Sequence, residues 1–387
     1  MLVVREIAVS GYRSLRRIGF PVDDLSVFVG GNGTGKTNLY RGLELLQDAA
    51  RGTLTRALAA EGGMDSALWA GRRRHGEAAR VRLSATLHDD GTGQAFTYGV
   101  EIGLVQQAGG TTYGAAFRKE PQVKAERLTV RTGARTAVIL DRDGRTGFAR
   151  DEEGRKRPLG LDLLPTETAL GTFLDATRHP EIALVRLAMT AWRFHHDFRT
   201  DAESPLRRPC LAVTTPTLAS DGSDLAAVFA TLAHIRQDTG DLDEALDGAF
   251  PGARLVVPEP GREASFGITF PDFPGRTFSA TELSDGTLRY LALTGALLGY
   301  RLPPFIALNE PESSLHPDLM EPLARMIARA AERTQIWLVT HSERLADGIA
   351  THGGARPRVV IKRDGETWID GLTLAGEFAD ADDGEES

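Results

Sequence analysis

The sequence predicts an α/β fold with a mixed sheet, an antiparallel β-meander, a helical insert and no coiled-coil arm. Three observations carry this. Near both ends of the chain, all-apolar strand-like runs alternate with amphipathic helical patterns. Residues 78–148 break into short β-rich pieces separated by Gly, Asp and Thr turns. Residues 150 to about 280 are mainly helical in pattern, with no heptad run and no internal repeat.

Taken in order, "REIAVSGYRSLRRIGFPVDDLSVFVG" reads as two strands and a third, apolar strand ending in glycine. "KTNLYRGLELLQDAARG" follows as a helix, with Leu39, Leu43, Leu45 and Leu46 on its apolar stripe and Gly52 as its stop. The meander includes "ARVRLSATLHD", "AFTYGVEIGLV", "ERLTVRT" and "RTAVILDRDG". In the insert, "EIALVRLAMTAWRFHHDF" and "GSDLAAVFATLAHIRQDTGDLDEALDGAF" read as helices, while "ARLVVPEP" and "SFGITF" read as short strands. The last hundred residues return to βα alternation. A helix begins at Ser284, then come strand "PFIALN", helix "HPDLMEPLARMIARAAERT", strand "QIWLVT", a short helix after His341 and the hairpin "RVVIKRDGETWI". The expected divisions are 1–150 (N-terminal lobe), 151–280 (helical insert), 281–375 (C-terminal lobe) and 376–387 (acidic tail).

Composition excludes several classes. No apolar run approaches the roughly 18 to 20 residues needed to span a bilayer, and the N-terminus has no signal-peptide core. The single cysteine, Cys210, excludes an internal disulfide and fits a reducing, cytoplasmic compartment. Net charge is −8, with a basic excess in the first 160 residues and an acidic excess beyond. The acidity argues against a dedicated, tight nucleic-acid binder, although the N-terminal part can carry a basic surface. Nine acids and no base follow Arg363, which reads as a disordered, solubilising terminus.

Three segments carry chemistry. "GGNGTGKT" matches G-x-x-x-x-G-K-[ST], with Gly30, Gly35, Lys36 and Thr37 in register between an apolar strand and a helix. Glycines let backbone N–H groups cradle a phosphate, Lys36 adds a cation at the β- and γ-phosphates, and the Thr37 hydroxyl ligates Mg²⁺. Asn32, Gly33, Thr34 and Asn38 complete the candidate nucleotide contacts. In "LSDGTLRYLAL", Ser284, Asp285 and Gly286 open a helix and present a hydroxyl and free N–H groups to an anion. In "FIALNEPESSLHP", the strand ends on Asn309 and Glu310, which puts Asn309 near Mg²⁺ through water and Glu310 near an attacking water. His341, at the end of the next strand, can reach a γ-phosphate.

The set "GGNGTGKT", "LSDGT", "LNEPESSLHP" and "LVTHS", in that order, resembles the ABC-type ATPase heads of the RecF, SMC and OLD-like group. It is most similar to stand-alone bacterial ATPases of the AAA family that carry an "LNEPE..LHP" strand. "GYRSL" matches the basic entry of the same group, making Arg13 a candidate nucleotide contact. The likeness covers the first 50 or so residues and the last hundred; the middle matches loosely. It implies a two-lobed P-loop head in which two copies sandwich two ATP molecules with Mg²⁺. The phosphate loop of one copy would face Ser284-Asp285-Gly286 of the other, and Ser314 and His316 would lie at the junction. DNA maintenance or antiphage defence is the setting implied. The partners are a second copy and either DNA or a separate effector protein, without a membrane, since the chain after His341 is too short for the nuclease that OLD-like proteins append. The alternative is a nucleotide-sensing module that hydrolyses very slowly. A transporter subunit is disfavoured by the roughly 270 residues between Lys36 and Glu310.

Two departures qualify the likeness. The glutamine loop has several candidates, Gln94, Gln106, Gln107 and Gln122, with Glu126 as a substitute. Asn309 stands where an Asp is usual; an amide keeps a carbonyl acceptor but loses a charge. Charged hydrogen bonds contribute about 1.5–3 kcal/mol and neutral ones about 0.5–1.5, so the swap weakens Mg²⁺ retention by roughly 1 kcal/mol. A shifted register, with Glu310 at the metal and Glu312 as base, is the minor alternative. "RRRH" (72–75) reads as a solvated loop. "WRFHHDFR" (192–199) reads as a helix that buries Trp192 and Phe194, with no acids spaced to partner His195 and His196.

Overall fold

The computed structural model describes residues 2–73, 76, 78–104, 117, 119–159, 163–173, 175–237 and 239–379. The chain divides into two compact units, one of residues 1–23, 30–192 and 359–387, the other of residues 24–29 and 193–358.

In the first unit, strands β1 (Leu2–Tyr12) and β2 (Leu15–Pro21) begin an eight-stranded antiparallel sheet. It continues with β4 (Arg80–Asp89), β5 (Gln94–Gly103), β6 (Gln122–Thr132), β7 (Arg135–Asp143), β8 (Thr146–Arg150) and β9 (Lys156–Pro158), in the order β2-β1-β4-β5-β6-β7-β8-β9. Period-two alternation sets its faces. In β4, Val81, Leu83, Ala85 and Leu87 are buried, while Arg80 and Arg82 point the other way. Helix α1 (Lys36–Arg51) packs its stripe of Leu39, Leu43, Leu45 and Leu46 inward and approaches β1 so closely that a Cβ at Gly42 would lie 3.0 Å from Val9. Gly52, at φ 77°, ends the helix as the sequence predicts. Short helices α2 (Leu54–Ala60) and α3 (Met64–Ala67) follow it. After β9 come α4 (Ala169–Thr172) and α5 (Pro180–Thr190). The hairpin of β18 (Arg358–Arg363) and β19 (Glu366–Ile369) turns at Asp364-Gly365, both with positive φ.

Glu126 is a structural residue in this unit. Its buried carboxylate accepts from the backbone N–H groups of Ala169 (2.6 Å) and Leu170 (2.7 Å) and from the Tyr98 hydroxyl (2.9 Å). Buried Arg142 lies 3.7 Å away and donates to the carbonyls of Gly144, Leu164 and Glu167. The N–H and O–H donors on Glu126 and the carbonyl acceptors on Arg142 offset part of the desolvation of the two charges, though burial still pushes Glu126 up and Arg142 down.

In the second unit, β3 (Leu25–Val29), β10 (Arg193–His195), β16 (Phe305–Asn309) and β17 (Gln335–Thr340) form a parallel sheet in the order β10-β16-β17-β3. Every residue of β16 and β17 is buried, which explains their unbroken apolar runs. Helices α8 (Asp285–Leu298), α9 (Met320–Ala331) and α10 (Glu343–Gly353) share one apolar core with these strands, including Leu291, Leu308, Ile327 and Leu338. The rest comprises β11 (Cys210–Leu211) paired with β13 (Glu263–Ala264), the sheet β12 (Arg254–Val256)–β14 (Gly267–Thr269)–β15 (Thr277–Ser279), and helices α6 (Leu225–Ala230) and α7 (Gly240–Ala249).

One expectation is corrected. Residues 192–199 do not continue a helix: α5 stops at Thr190 and Arg193–His195 become β10, paired with Ile306–Leu308. Trp192 and Phe194 are buried as expected. The helical periodicity was outweighed by the exposed backbone edge of β16, which a short strand can satisfy and a helix cannot. Residues 380–387, most of the predicted acidic tail, lie outside the described residues.

Candidate functional site

The glycine loop in the first unit is shaped by its backbone. Gly33 and Gly35 take φ of 81° and 99°, a region side chains disfavour, and a Cβ at Gly35 would collide with Thr367 Oγ1. Helix α1 starts on Gly35 with no side-chain cap, leaving its first N–H groups for an anion. Buried Lys36 donates from Nζ to Gly30 O (2.7 Å) and Gly31 O (3.0 Å), closing the loop into a ring. Thr34 Oγ1 adds a bond to Gly31 O (3.0 Å), and Asn32, Gly33 and Thr37 are exposed.

A hydroxyl relay behind the loop was not anticipated. Asn38 Nδ2 donates to Ser14 Oγ (2.7 Å), Ser14 Oγ lies 2.6 Å from Thr367 Oγ1, and Thr367 Oγ1 donates to Thr34 O (2.8 Å). Asn38 therefore braces the loop. Arg13, at φ 47°, donates from Nη2 to Glu61 Oε2 (2.7 Å) and lies over the Tyr12 ring. With Ser14, Trp69, Arg72 and Lys362 it lines a cavity of about 750 Å³.

In the second unit the carboxyl ends of three strands are level, the edge where open α/β sheets take ligands. Asn309 is opposite Val339, which is opposite Phe28, and β3 leads in the chain directly to Gly30. Asn309 is 6% exposed; its Nδ2 donates to His196 Nδ1 (2.7 Å), while its buried Oδ1 has no partner. Glu310 sits at φ 48°, pinned by a bond from its N–H to Val339 O (2.8 Å). For a glutamate this conformation costs about 1–3 kcal/mol. It puts the carboxylate, about a third exposed, 3.8 Å from His341 Nδ1.

Glu312 is buried. Its Oε1 accepts from Thr340 Oγ1 (2.5 Å) and from the His341 backbone N–H (2.9 Å), and lies 3.1 Å from His341 Nδ1. A carboxylate so engaged fixes the ring through Nδ1. His195, by contrast, is buried against Phe198 with Nδ1 on Ser220 O (3.3 Å), and burial pushes it down to about 4.

A family model described as "AAA domain, putative AbiEii toxin, Type IV TA system" matches residues 25–347. The chain belongs to this AAA-domain family. No curated protein matches it. Among solved structures, this AAA domain is similar to an SMC head bound to the C-winged helix domain of ScpA, at 14% identity and a TM-score of 0.57, over 96% of this chain and 99% of that one. It is also similar to the SMC head domain with an extended coiled coil bound to the C-terminal domain of ScpA from Pyrococcus furiosus, at 13% identity and a TM-score of 0.53, over 97% of each chain. These likenesses bear out the fold: an α/β ATPase head with an antiparallel sheet and a parallel one. Among the described residues no helix is long and apolar enough to cross a membrane.

The AAA domain's residues fit Mg²⁺. Asn309 Oδ1 is a buried acceptor without a partner, which would suit a metal-bound water, and Thr37 is exposed. Among the described residues there is no cluster of His, Cys, Asp and Glu that would cage a metal unaided, which suits an ion held chiefly by phosphates and water.

The signature residues start α8. Ser284 is exposed and caps the helix through Thr287 N (3.2 Å), Asp285 is paired with Arg207 (2.6 Å), and a Cβ at Gly286 would lie 3.1 Å from Ser314 O. Ser314 takes φ 64°, and His316 is exposed. Of the glutamine-loop candidates, Gln106 and Gln107 lie outside the described residues, Gln94 bonds Thr132, Gln122 meets Lys124, and Glu126 is buried in the network above. The strand beside β16 is β10, which ends on His195 and is followed directly by His196. Sequence reasoning passed over Ser14 and Thr367, found no partner for His196, and weighed Glu312 only as the base of the shifted register.

Proposed function

We propose that this AAA domain is a Mg²⁺-dependent ATPase that dimerises around ATP, with each site completed by the partner copy's Ser284-Asp285-Gly286. The observation that carries the reading is Glu310, held in a strained conformation beside His341 at the carboxyl end of the sheet whose strand β3 runs in the chain into the phosphate loop. In this reading, the loop's N–H groups and Lys36 hold the phosphates, and the Glu310 carboxylate orients and deprotonates the attacking water. His341 Nε2 meets the γ-phosphate, and Thr37 and Asn309 hold the metal, Asn309 through water. Mg²⁺ would supply neutralisation of the charge that develops on the phosphates. Glu310→Gln is expected to lower kcat about 10²- to 10⁴-fold with ATP binding retained; hydrolysis at the wild-type rate would refute its role.

The proposed task is gating a DNA-related process, in DNA maintenance or antiphage defence. Supporting it, a cleft of about 800 Å³ in the first unit is lined by Arg16, Arg17, Arg73, Arg80 and Arg82. Glu101 neutralises part of this charge at Arg80 and Arg82, and Glu366 at Arg16. DNA affinity should fall steeply with salt, and Arg17→Glu with Arg73→Glu should reduce both affinity and salt slope. Unchanged binding would move the partner to protein, for which Leu184, Leu187, Leu211, Val213, Ile235 and Phe273 are exposed. The amide at position 309 favours a second reading, a nucleotide sensor with very slow turnover.

A further inference from the structure

We infer that His196 is a positioning residue that orients the Asn309 amide, so that its carbonyl oxygen and not its NH₂ is offered to the metal. This rests on the reading of the strand ends as the metal–nucleotide site.

An asparagine in place of an aspartate creates a problem that an aspartate does not have. A carboxylate presents an acceptor whichever way it rotates, but an amide presents an acceptor one way and a donor the other. A donor turned toward a cation and its bound water opposes binding. Some neighbour must therefore break the tie, and it must do so by accepting a hydrogen bond.

His196 is that neighbour. It follows directly on β10, the strand paired with β16, and its Nδ1 takes the Asn309 N–H at 2.7 Å. An amide NH₂ can only donate, so in this contact His196 Nδ1 is the acceptor and Oδ1 is turned away from the ring. The consequence is visible on the other side of the amide: Oδ1 is buried, lacks a partner and is the one acceptor Asn309 has left. The odd residue at 309 and the unexplained histidine at 196 form one device.

The test uses the full chain with a non-hydrolysable ATP analogue and Mn²⁺ as the probe. The concentration of Mn²⁺ that half-saturates the protein–nucleotide complex is read from the spin-resonance signal of free Mn²⁺, alongside nucleotide affinity without metal. For His196→Ala, half-saturation should rise about three- to tenfold, the loss of one neutral hydrogen bond's bias, with metal-free affinity unchanged. His196→Gln, whose carbonyl can accept from Asn309, should stay within about twofold of wild type. In an Asn309→Asp background, His196→Ala should no longer matter, because a carboxylate has no wrong way round. An unchanged half-saturation in His196→Ala overturns the inference, as does a Gln variant as impaired as the Ala variant, which would reveal a packing role. If the wild type itself gains nothing from Mn²⁺, the metal–nucleotide reading falls and this inference with it.

Discussion

Glu312 couples two strands at a single oxygen. Its Oε1 gathers the Thr340 hydroxyl, the His341 backbone N–H and the His341 ring, so the carboxylate sets where the imidazole points without touching substrate. Glu312→Ala should therefore lower kcat about tenfold or more while leaving KM for ATP nearly unchanged. Glu312→Gln, which keeps an acceptor for Thr340 and the N–H, should recover part of the loss. A parallel fall in ATP affinity and thermal stability, equal in both variants, would make Glu312 a packing residue. The alternative register, with Glu312 as base, is disfavoured by burial: Oε1 is taken up by Thr340 and His341, and Oε2, though unpartnered, is buried. Asn309 was legible in the sequence as a departure, but the hydrogen bond that gives the departure its logic was not. His196 is 113 residues away in the chain, and its role arises only when β10 pairs with β16.

Strand β10 is the element whose structure the sequence conceals. Periodicity finds helices and buried strands when they are long, and it identified α1 with its Gly52 stop, α8 with its Ser284 cap, and α9, β16 and β17 in their order. A three-residue strand has no period to read; pairing to β16 creates it. The element also carries a pH signature. His195 falls from its usual 6.5 to about 4 because burial disfavours its charged form. A depressed folded value means that stability is complete above pH 6.5 and is lost as pH falls from 6.5 through 4, by on the order of 3 kcal/mol. His195→Asn should flatten the stability curve across that window. An unchanged slope in chemical denaturation at pH 6.5, 5 and 4 would place the acid sensitivity elsewhere. Glu126 makes the same point for the meander: its sequence position suited a functional loop, whereas the folded chain uses it to tie β6 to α4 and Arg142.

At the scale of the whole molecule, the order of motifs mattered more than any one of them. A glycine-rich turn or a capped helix alone is commonplace, but the phosphate loop, signature, acidic strand and switch histidine in sequence pointed to an ATPase head. The AAA family and the SMC-like fold bear out that coarse reading. The central claim is that a working site needs two copies, and mixing two inactive variants tests it most directly. Lys36→Ala removes the phosphate-loop cation and Ser284→Arg blocks the signature. If each site is shared, each variant alone hydrolyses almost no ATP, and an equimolar mixture recovers activity because mixed dimers contain one site with both halves intact. A Ser284→Arg protein at full activity, or a mixture as inactive as its components while both still bind ATP, would contradict the shared-site account.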